Sequence, residues 1–224
     1  MRLYLHLHAT RPEPVSFNHL PALVGAFHGW LGHHNALHDA LSPYSLSWLQ
    51  GARPARTGLH FPEGARWFIS APDEGLIHGL AGGILRQPDL DCGLRVVDVQ
   101  FVPTPRFEAG EMGFRVASPV LVKHQPPELR GPADHLRYDD PRAAALLTHT
   151  LHRKLAAAGL PPDGAAVRFD ADYPRPRTKM VTYKNVGNRA NECPVIVTGS
   201  AEQIAFAWNV GVGHSTGLGF GSLV

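Results

Sequence analysis

Residues 2–31 have the sequence RLYLHLHATRPEPVSFNHLPALVGAFHGWL, in which two hydrophobic periods follow one another. In its first eight residues Leu3, Leu5 and Leu7 alternate with Tyr and His, which is the two-residue period of a half-buried strand. The apolar residues between 20 and 31 then recur at spacings of one, three and four, as on one face of a helix. The segment therefore predicts a strand that leads into a helix.

Similar patterns continue through the first half of the chain. Short apolar or aromatic runs at 44–49 and 65–71 predict two strands joined by a long hairpin loop. A helix is predicted from Asp73 through Ile84, and the run LRVVDVQFV at 94–102 predicts another strand. The order of elements is βαββαβ.

After the proline-containing segment at 103–106 the order of elements starts again. Two consecutive βαββαβ units predict an α+β protein of tandem ferredoxin-like domains, 1–108 and 109–224, although another α+β topology would give a similar string. Helices would cover one face of each antiparallel sheet. The second unit is predicted to contain strands 113–122, 165–170, 178–184, 194–198 and 218–224 and helices 140–158 and 201–209.

Composition excludes several classes of protein. With 224 residues, 44% of them hydrophobic, the chain is neither disordered nor collagenous, and its net charge of +2 identifies no partner. Cys92 and Cys193 supply neither a disulfide framework nor a paired zinc-thiolate site. No apolar run reaches the ~18 residues that cross a bilayer, and the first residues lack the core of a signal peptide. We therefore expect a cytoplasmic protein without a membrane partner.

Five glycines lie within GVGHSTGLGFG, residues 211–221, called here the glycine-rich segment. A dinucleotide fingerprint needs a following helix and acid, and only three residues remain after Gly221. A Walker loop needs a lysine, and the GxSxG nucleophile elbow needs an acid and a histidine after Ser215; both are missing. The segment is either a turn between a helix and a last strand or a loop whose backbone N–H groups bind an anionic chain.

The segment CPVIVTGSAEQIAFAWNVGVGHSTGLGFGSLV, residues 193–224, closely resembles the carboxyl terminus of the CRISPR-associated repeat-processing endoribonucleases, the sixth family of CRISPR-associated proteins. Further segments resemble the family in the family's order: SFNHLPALVGAFHG (16–29), LHD (37–39), ASPVLVK (117–123), YDDP (138–141) and TKMVTYK (178–184).

The resemblance implies tandem ferredoxin-like domains of the RNA-recognition-motif (RRM-like) type and cleavage of the CRISPR repeat transcript (pre-crRNA) to mature crRNA. It also implies a reaction without metal or cofactor, in which the 2′-hydroxyl attacks the adjacent phosphate and leaves a 2′,3′-cyclic phosphate and a 5′-hydroxyl. CRISPR repeat RNA is the expected partner, with subunits of a CRISPR effector complex as further partners.

Two histidines are the predicted catalytic residues. By the resemblance His38 has the principal role, because it is the histidine of the family's Leu-His-acid segment, while His28 falls where some members have a tyrosine. Histidine can act as acid or base near neutral pH. A continuous helix would hold these two residues about 15 Å apart along its axis. We therefore predict a helix break within 29–35 that lets them converge.

The reaction also needs positive charge around the phosphate. No lysine lies between His38 and Lys123, so Arg53 and Arg56 in the hairpin loop are candidates. Residues 175–189 carry five cations and no acid, and alternate residues of a strand share one face, which favours an RNA contact. The predicted RNA-binding residues are Arg175, Arg177, Lys179, Lys184 and Arg189, with Gly211, Gly213, His214, Gly217, Gly219 and Gly221 of the glycine-rich segment.

Two other functions stay open at this point. Without a cation near His38 the protein would be a non-cleaving subunit that binds the repeat and anchors crRNA. His34 and His38, four residues apart, could instead hold a metal ion together with Asp39 in an unrelated hydrolase. His33 is interpreted as a surface residue, and His6 and His8 as sheet residues, with RNA contact as the alternative.

Overall fold

The computed structural model describes residues 1–32, 41–125 and 133–224. In the first half five strands form an antiparallel sheet in the order β2 (Ser45–Leu46), β5 (Ala65–Ser70), β1 (Arg2–Ala9), β7 (Leu94–Val102) and β6 (Asp89–Leu90). Its core joins the leucines of β1 to the apolar faces of both helices. The elements are β1 (Arg2–Ala9), α1 (Leu20–Leu31), β2 (Ser45–Leu46), β3 (Arg53–Pro54), β4 (Leu59–His60), β5 (Ala65–Ser70), α2 (Glu74–Arg86), β6 (Asp89–Leu90) and β7 (Leu94–Val102).

Both helices of this half form where the apolar spacing predicts them. α1 begins with Pro21 in its first turn and ends at Leu31, where Gly32 leaves the helix with φ +87°. The end of α1 therefore lies within the predicted break, while His38 lies outside the described residues. In α2 the carboxylate of Asp73 caps the helix by accepting hydrogen bonds from the N–H groups of Gly75 and Leu76.

The second half repeats the arrangement. A three-stranded sheet has the order β11 (Ala166–Phe169), β14 (Val195–Gly199) and β8 (Gly110–Phe114), and Leu223 pairs with Val116 beyond β8. Both halves therefore place their strands in the order second, third, first, fourth, and the predicted tandem ferredoxin-like fold is confirmed. The elements are β8 (Gly110–Phe114), β9 (Lys123–His124), β10 (Asp134–His135), α3 (Ala143–Ala157), β11 (Ala166–Phe169), β12 (Arg177–Tyr183), β13 (Val186–Glu192), β14 (Val195–Gly199), α4 (Ala201–Val210) and a 3₁₀ turn (Thr216–Leu218).

Three predicted strands of this half differ from the structure. The strand predicted at 113–122 is observed as β8, which ends at Phe114, and only isolated bridges follow in the predicted range, at Val116, Val120 and Leu121. The strand predicted at 178–184 is β12, which pairs with the unpredicted β13 in a hairpin inserted between β11 and β14. The strand predicted at 218–224 is wrong, because Gly219 and Gly221 have φ values of +85° and +65° and interrupt extended backbone. Only Leu223 retains a ladder pair.

A buried arginine on β1 contacts residues of both halves. The guanidinium of Arg2, on β1, lies 3.3 Å from the ring centroid of Trp208 and 4.3 Å from that of Phe68. It donates hydrogen bonds to the carbonyl oxygens of Trp208 and Leu223, and burial lowers its pKa to about 10. These contacts hold α4, and with it the start of the glycine-rich segment, against the first half.

No helix within the described ranges is long and apolar enough to span a membrane.

Candidate nucleic-acid interface

The glycine-rich segment packs against the part of the first half that follows residues 33–40. The Tyr44 side chain is buried and stacks on Phe27 at a centroid distance of 4.4 Å. The hydroxyl of Thr216 donates to the carbonyl oxygen of Tyr44 at 2.9 Å. A Cβ atom at Gly217 would lie 2.5 Å from the Oγ of Ser42 and 2.8 Å from the Oη of Tyr44. The segment therefore directly contacts Ser42 and Tyr44.

The glycines are buried, and the N–H groups of three of them bond to backbone oxygens, which favours the predicted turn over the anion-binding loop at these three residues. The N–H groups of Gly211, Gly219 and Gly221 donate to the carbonyl oxygens of Ala207, Thr216 and Pro119 at 2.9, 3.3 and 2.9 Å. A Cβ at Gly211 or at Gly213 would lie 2.6 Å from a backbone oxygen, and both residues have a positive φ. Close backbone packing explains these glycines, so RNA would meet the half-buried His214, Ser215 and Leu218.

A buried lysine forms hydrogen bonds with the glycine-rich segment and with the end of α4. The Nζ of Lys154, on α3, donates to the carbonyl oxygens of Val210 and Gly211 at 2.9 and 3.3 Å and to the hydroxyl of Thr216 at 2.8 Å. Because Thr216 in turn donates to Tyr44, this contact joins the end of α4 to the first half. The buried face of α3 includes Leu147, Leu151 and Lys154. The apolar spacing of α3 therefore indicates that Lys154 lies on the buried face, although Lys154 is not among the predicted site residues.

We expect the free energy of unfolding of the wild type to rise, relative to that of Lys154→Met, by about 2 kcal/mol between about pH 7 and pH 9. Burial lowers the pKa of Lys154 to about 7, whereas an unfolded lysine titrates near 10.4. The unfolded chain then binds more protons than the folded chain in this interval, so stability increases with pH and is lost as pH falls toward 7. Chemical denaturation of both proteins at both pH values measures the difference. A pH-independent difference would contradict it and show that the three acceptors keep Lys154 charged.

His28 lies in the last turn of α1, half-buried, with its ring edge-on to Phe27 at a centroid distance of 5.1 Å. Since Phe27 stacks on Tyr44, a run of contacting side chains leads from His28 to the glycine-rich segment. The structure thus places this predicted catalytic residue near the segment, while His38, His34 and Asp39 lie outside the described residues.

His214 is a neutral imidazole with a defined tautomer. Its Nδ1 accepts a hydrogen bond from the N–H of Lys123 at 3.2 Å, so the ring proton is on Nε2. Burial lowers the pKa of His214 to about 4, and the nearby charge of Lys123 acts in the same direction. At neutral pH His214 can therefore donate one hydrogen bond to an RNA oxygen but carries no positive charge.

The predicted basic stretch is divided between two faces of the β12–β13 hairpin. Arg177 and Lys179 share one face and both approach Glu192, at 3.9 and 3.8 Å. Arg189 pairs with Met180 in the ladder and therefore lies on the other face. Lys184 lies in the turn, with φ +45°, and Arg175 is exposed before the strand. Arg175, Arg177 and Lys179 form one surface, and Lys184 and Arg189 lie away from it.

Trp48 lies where this surface meets the glycine-rich segment. Its indole Nε1 donates to the carbonyl oxygen of Gly219 at 2.8 Å, and the Lys179 ammonium lies 4.6 Å from its ring centroid. On one side of Trp48 is a cleft of about 240 Å³ lined by Arg115, Arg175 and Arg177, among others. On the other side is a groove of about 550 Å³, called here the Trp48 groove, whose lining includes Phe17, His19, Trp48, Lys179, Met180 and Thr182.

The remaining predicted cations lie elsewhere. Arg53 approaches Glu63 at 3.6 Å and lines a groove of about 570 Å³ on the first half, together with His6 and His8. Within the described ranges, no recorded hydrogen bond or ion pair joins Arg53 to Ser42 or Tyr44. The same ranges contain no group of three His, Cys, Asp or Glu side chains that could hold a metal ion.

Two ferredoxin-like halves and a basic surface that meets a buried glycine-rich turn define a two-domain protein with a nucleic-acid-binding type of surface. The family model for CRISPR associated protein Cas6, C-terminal, matches residues 102–224, more than half of the chain, and the chain belongs to this family. The predicted family resemblance is thereby confirmed. No match to a curated protein is found.

Three solved structures show the same fold over the whole chain. A Cas6-related protein from Pyrococcus furiosus superposes with a TM-score of 0.86 at 18% identity, covering 100% of this chain and 97% of that chain. A RAMP protein binding different RNA substrates gives 0.86 at 17% identity, covering 100% and 98%. A product complex of Thermus thermophilus Cas6 gives 0.72 at 18% identity, covering 100% and 98%.

Proposed function

We propose that the protein is a metal-independent endoribonuclease that cuts CRISPR repeat transcripts once per repeat. The 2′-hydroxyl loses its proton and attacks the adjacent phosphorus, the bond from phosphorus to the 5′-oxygen breaks, and that oxygen gains a proton. The products end in a 2′,3′-cyclic phosphate and a 5′-hydroxyl. His38 carries out one of the two proton transfers, and His28 is the second candidate.

The contact of Gly217 with Ser42 and Tyr44 is the observation that carries this proposal. Ser42 follows His38 by four residues, and four residues of chain span at most about 14 Å. Covalent connection therefore limits the Cα of His38 to about 14 Å from that of Ser42, which is compatible with a reaction at an RNA on the exposed side of the glycine-rich segment. His214, whose Nδ1 accepts from the N–H of Lys123, contributes its Nε2–H as a donor from that segment.

The basic surface supplies a path that leads to this place. Arg115, Arg175, Arg177 and Lys179 are exposed and lie next to Trp48, which is bonded to Gly219 of the segment. Cations in such a row neutralise successive phosphates of an RNA backbone. Two of the similar structures support an RNA partner, since one is a RAMP protein binding RNA substrates and another is a Cas6 product complex.

The test uses the purified full chain with synthetic repeat RNAs in EDTA. We expect each active repeat to be cut at one position, with a 2′,3′-cyclic phosphate on the upstream product. A matched RNA with one 2′-deoxy sugar at the cut position is expected to bind equally well and to remain intact. Cleavage of the deoxy RNA, or cleavage only after a divalent metal is added, would contradict the mechanism. Tight binding without any cleavage would favour the non-cleaving crRNA-binding subunit.

A further inference from the structure

We propose that the Trp48 groove binds one unpaired nucleobase of the RNA, stacked on Phe17 and Trp48, with Lys179 at its phosphate. The inference rests on the proposed function, because it assigns a base-binding subsite to the same RNA. It concerns recognition of single-stranded RNA and leaves the proton-transfer residues unchanged.

The walls of the groove are suited to a flat aromatic ligand. Phe17 is 58% exposed and Met180 is 60% exposed, although large apolar side chains are normally covered. The ring of Trp48 is held by its hydrogen bond to Gly219. Aromatic rings present faces on which any base can stack, and a thioether adapts to irregular gaps. A volume of about 550 Å³ is within the range of small-ligand sites.

The charge of the groove favours a nucleotide over an apolar peptide. Lys179 contributes an ammonium group 4.6 Å from the Trp48 ring centroid, and Arg177 follows on the same face of β12. None of the groove's lining residues, all from the described ranges, is acidic. Arg177 and Lys179 share one carboxylate, that of Glu192, so the pair keeps a net positive charge. An aromatic floor beside this charge accommodates a base and its phosphate together, whereas an apolar peptide would not neutralise it.

His19 provides a polar group beneath these walls. Its Nδ1 lies 3.0 Å from the carbonyl oxygen of Ser16, which can only accept, so the ring proton is on Nδ1. Burial lowers the pKa of His19, which keeps the ring neutral and makes Nε2 an acceptor. This Nε2 is buried and has no hydrogen-bond partner within residues 1–32, 41–125 and 133–224. An N–H on the edge of a base is the complementary group.

The experiment measures binding of two fluorescein-labelled probes by anisotropy, in EDTA and at fixed salt. One probe is an octamer of adenosine ribonucleotides, and the other has the same sugar-phosphate chain with abasic sites. We expect Phe17→Ala to weaken binding of the adenosine octamer by about 5- to 150-fold and to leave the abasic probe unchanged. Lys179→Gln should weaken binding of both probes. Leu85→Ala, which truncates a leucine that is 85% exposed on α2, is the matched control and should change neither.

An equal effect of Phe17→Ala on both probes, or no effect on either, would overturn the nucleobase site. In the latter case the exposed apolar groove would be available to a protein segment instead. Cleavage assays with repeat RNA separate this result from the fate of the proposed function. If binding depends on the base but no repeat RNA is cleaved, the nucleobase site is supported and the nuclease function is rejected. If repeat RNA is cleaved but binding does not depend on the base, the nuclease function is supported and the nucleobase site is rejected.

Discussion

His38→Ala is expected to slow the cleavage of repeat RNA by about 10²- to 10⁴-fold, while RNA binding stays close to that of the wild type. The loss corresponds to removing one positioned acid or base from the transition state. Imidazole is suited to that role near neutral pH because it exchanges a proton in this range. Single-turnover rates with protein in excess over RNA measure the chemical step apart from product release.

The matched control is His33→Ala, which removes an imidazole five residues earlier in the same segment and outside the Leu-His-acid motif. The His33→Ala variant should cleave repeat RNA at the wild-type rate. If both variants lose activity equally, the effect belongs to the conformation of the segment and the assignment of His38 fails. Wild-type cleavage by His38→Ala would also refute the assignment. Thermal denaturation of both variants checks that neither change unfolds the protein.

The sequence predicts those elements whose burial is apolar and local. The strands at 2–9 and 94–102 are observed with these bounds, because apolar alternation marks the first and a valine-rich run marks the second. The helix at 20–31 is likewise observed with its predicted bounds. In each case the signal lies within one element and needs no distant partner.

The hairpin strand β13 has no such signal. Its residues VGNRANE show no apolar alternation, since two of its buried side chains are asparagines. The side-chain amide nitrogen of Asn191 donates to the carbonyl oxygens of Val120 and Leu136, each at 3.1 Å. Hydrophobic periodicity does not predict that a polar residue is buried because it hydrogen bonds to backbone groups distant in sequence.

The sequence predicts which residues belong to the candidate interface better than it predicts where they lie relative to one another. The basic stretch and the glycine-rich segment were identified, but their meeting point, Trp48, was missed because its partner Gly219 is 171 residues away in the chain. Phe17 lies in the segment 16–29, which resembles the family, but the sequence predicts no role for it. In the structure the glycines of the segment pack against backbone, and Val212, Thr216 and Phe220 are buried with them. Only the side chains of His214, Ser215 and Leu218 are half-buried within residues 211–221.

That packing makes Gly221→Ala a severe folding variant, and we expect it to lower the free energy of unfolding by at least about 3 kcal/mol. A Cβ at Gly221 would overlap the carbonyl oxygen of Val212, and φ is +65°. A backbone atom cannot rotate away as a side chain can, so the two chain segments must separate. Separation would break the hydrogen bond from the N–H of Val212 to the carbonyl oxygen of Gly221, now 2.9 Å. Urea denaturation followed by circular dichroism measures the loss.

Gly159→Ala separates the two causes of that loss. Gly159 has a similar φ of +74°, but an added Cβ would meet nothing within 4 Å. Its substitution should therefore cost only the conformational penalty of about 1 kcal/mol. If Gly221→Ala is no more destabilising than Gly159→Ala, the packing explanation is wrong. If Gly221→Ala is as stable as the wild type and instead loses RNA binding, the glycine itself contacts the RNA, as the sequence first predicted.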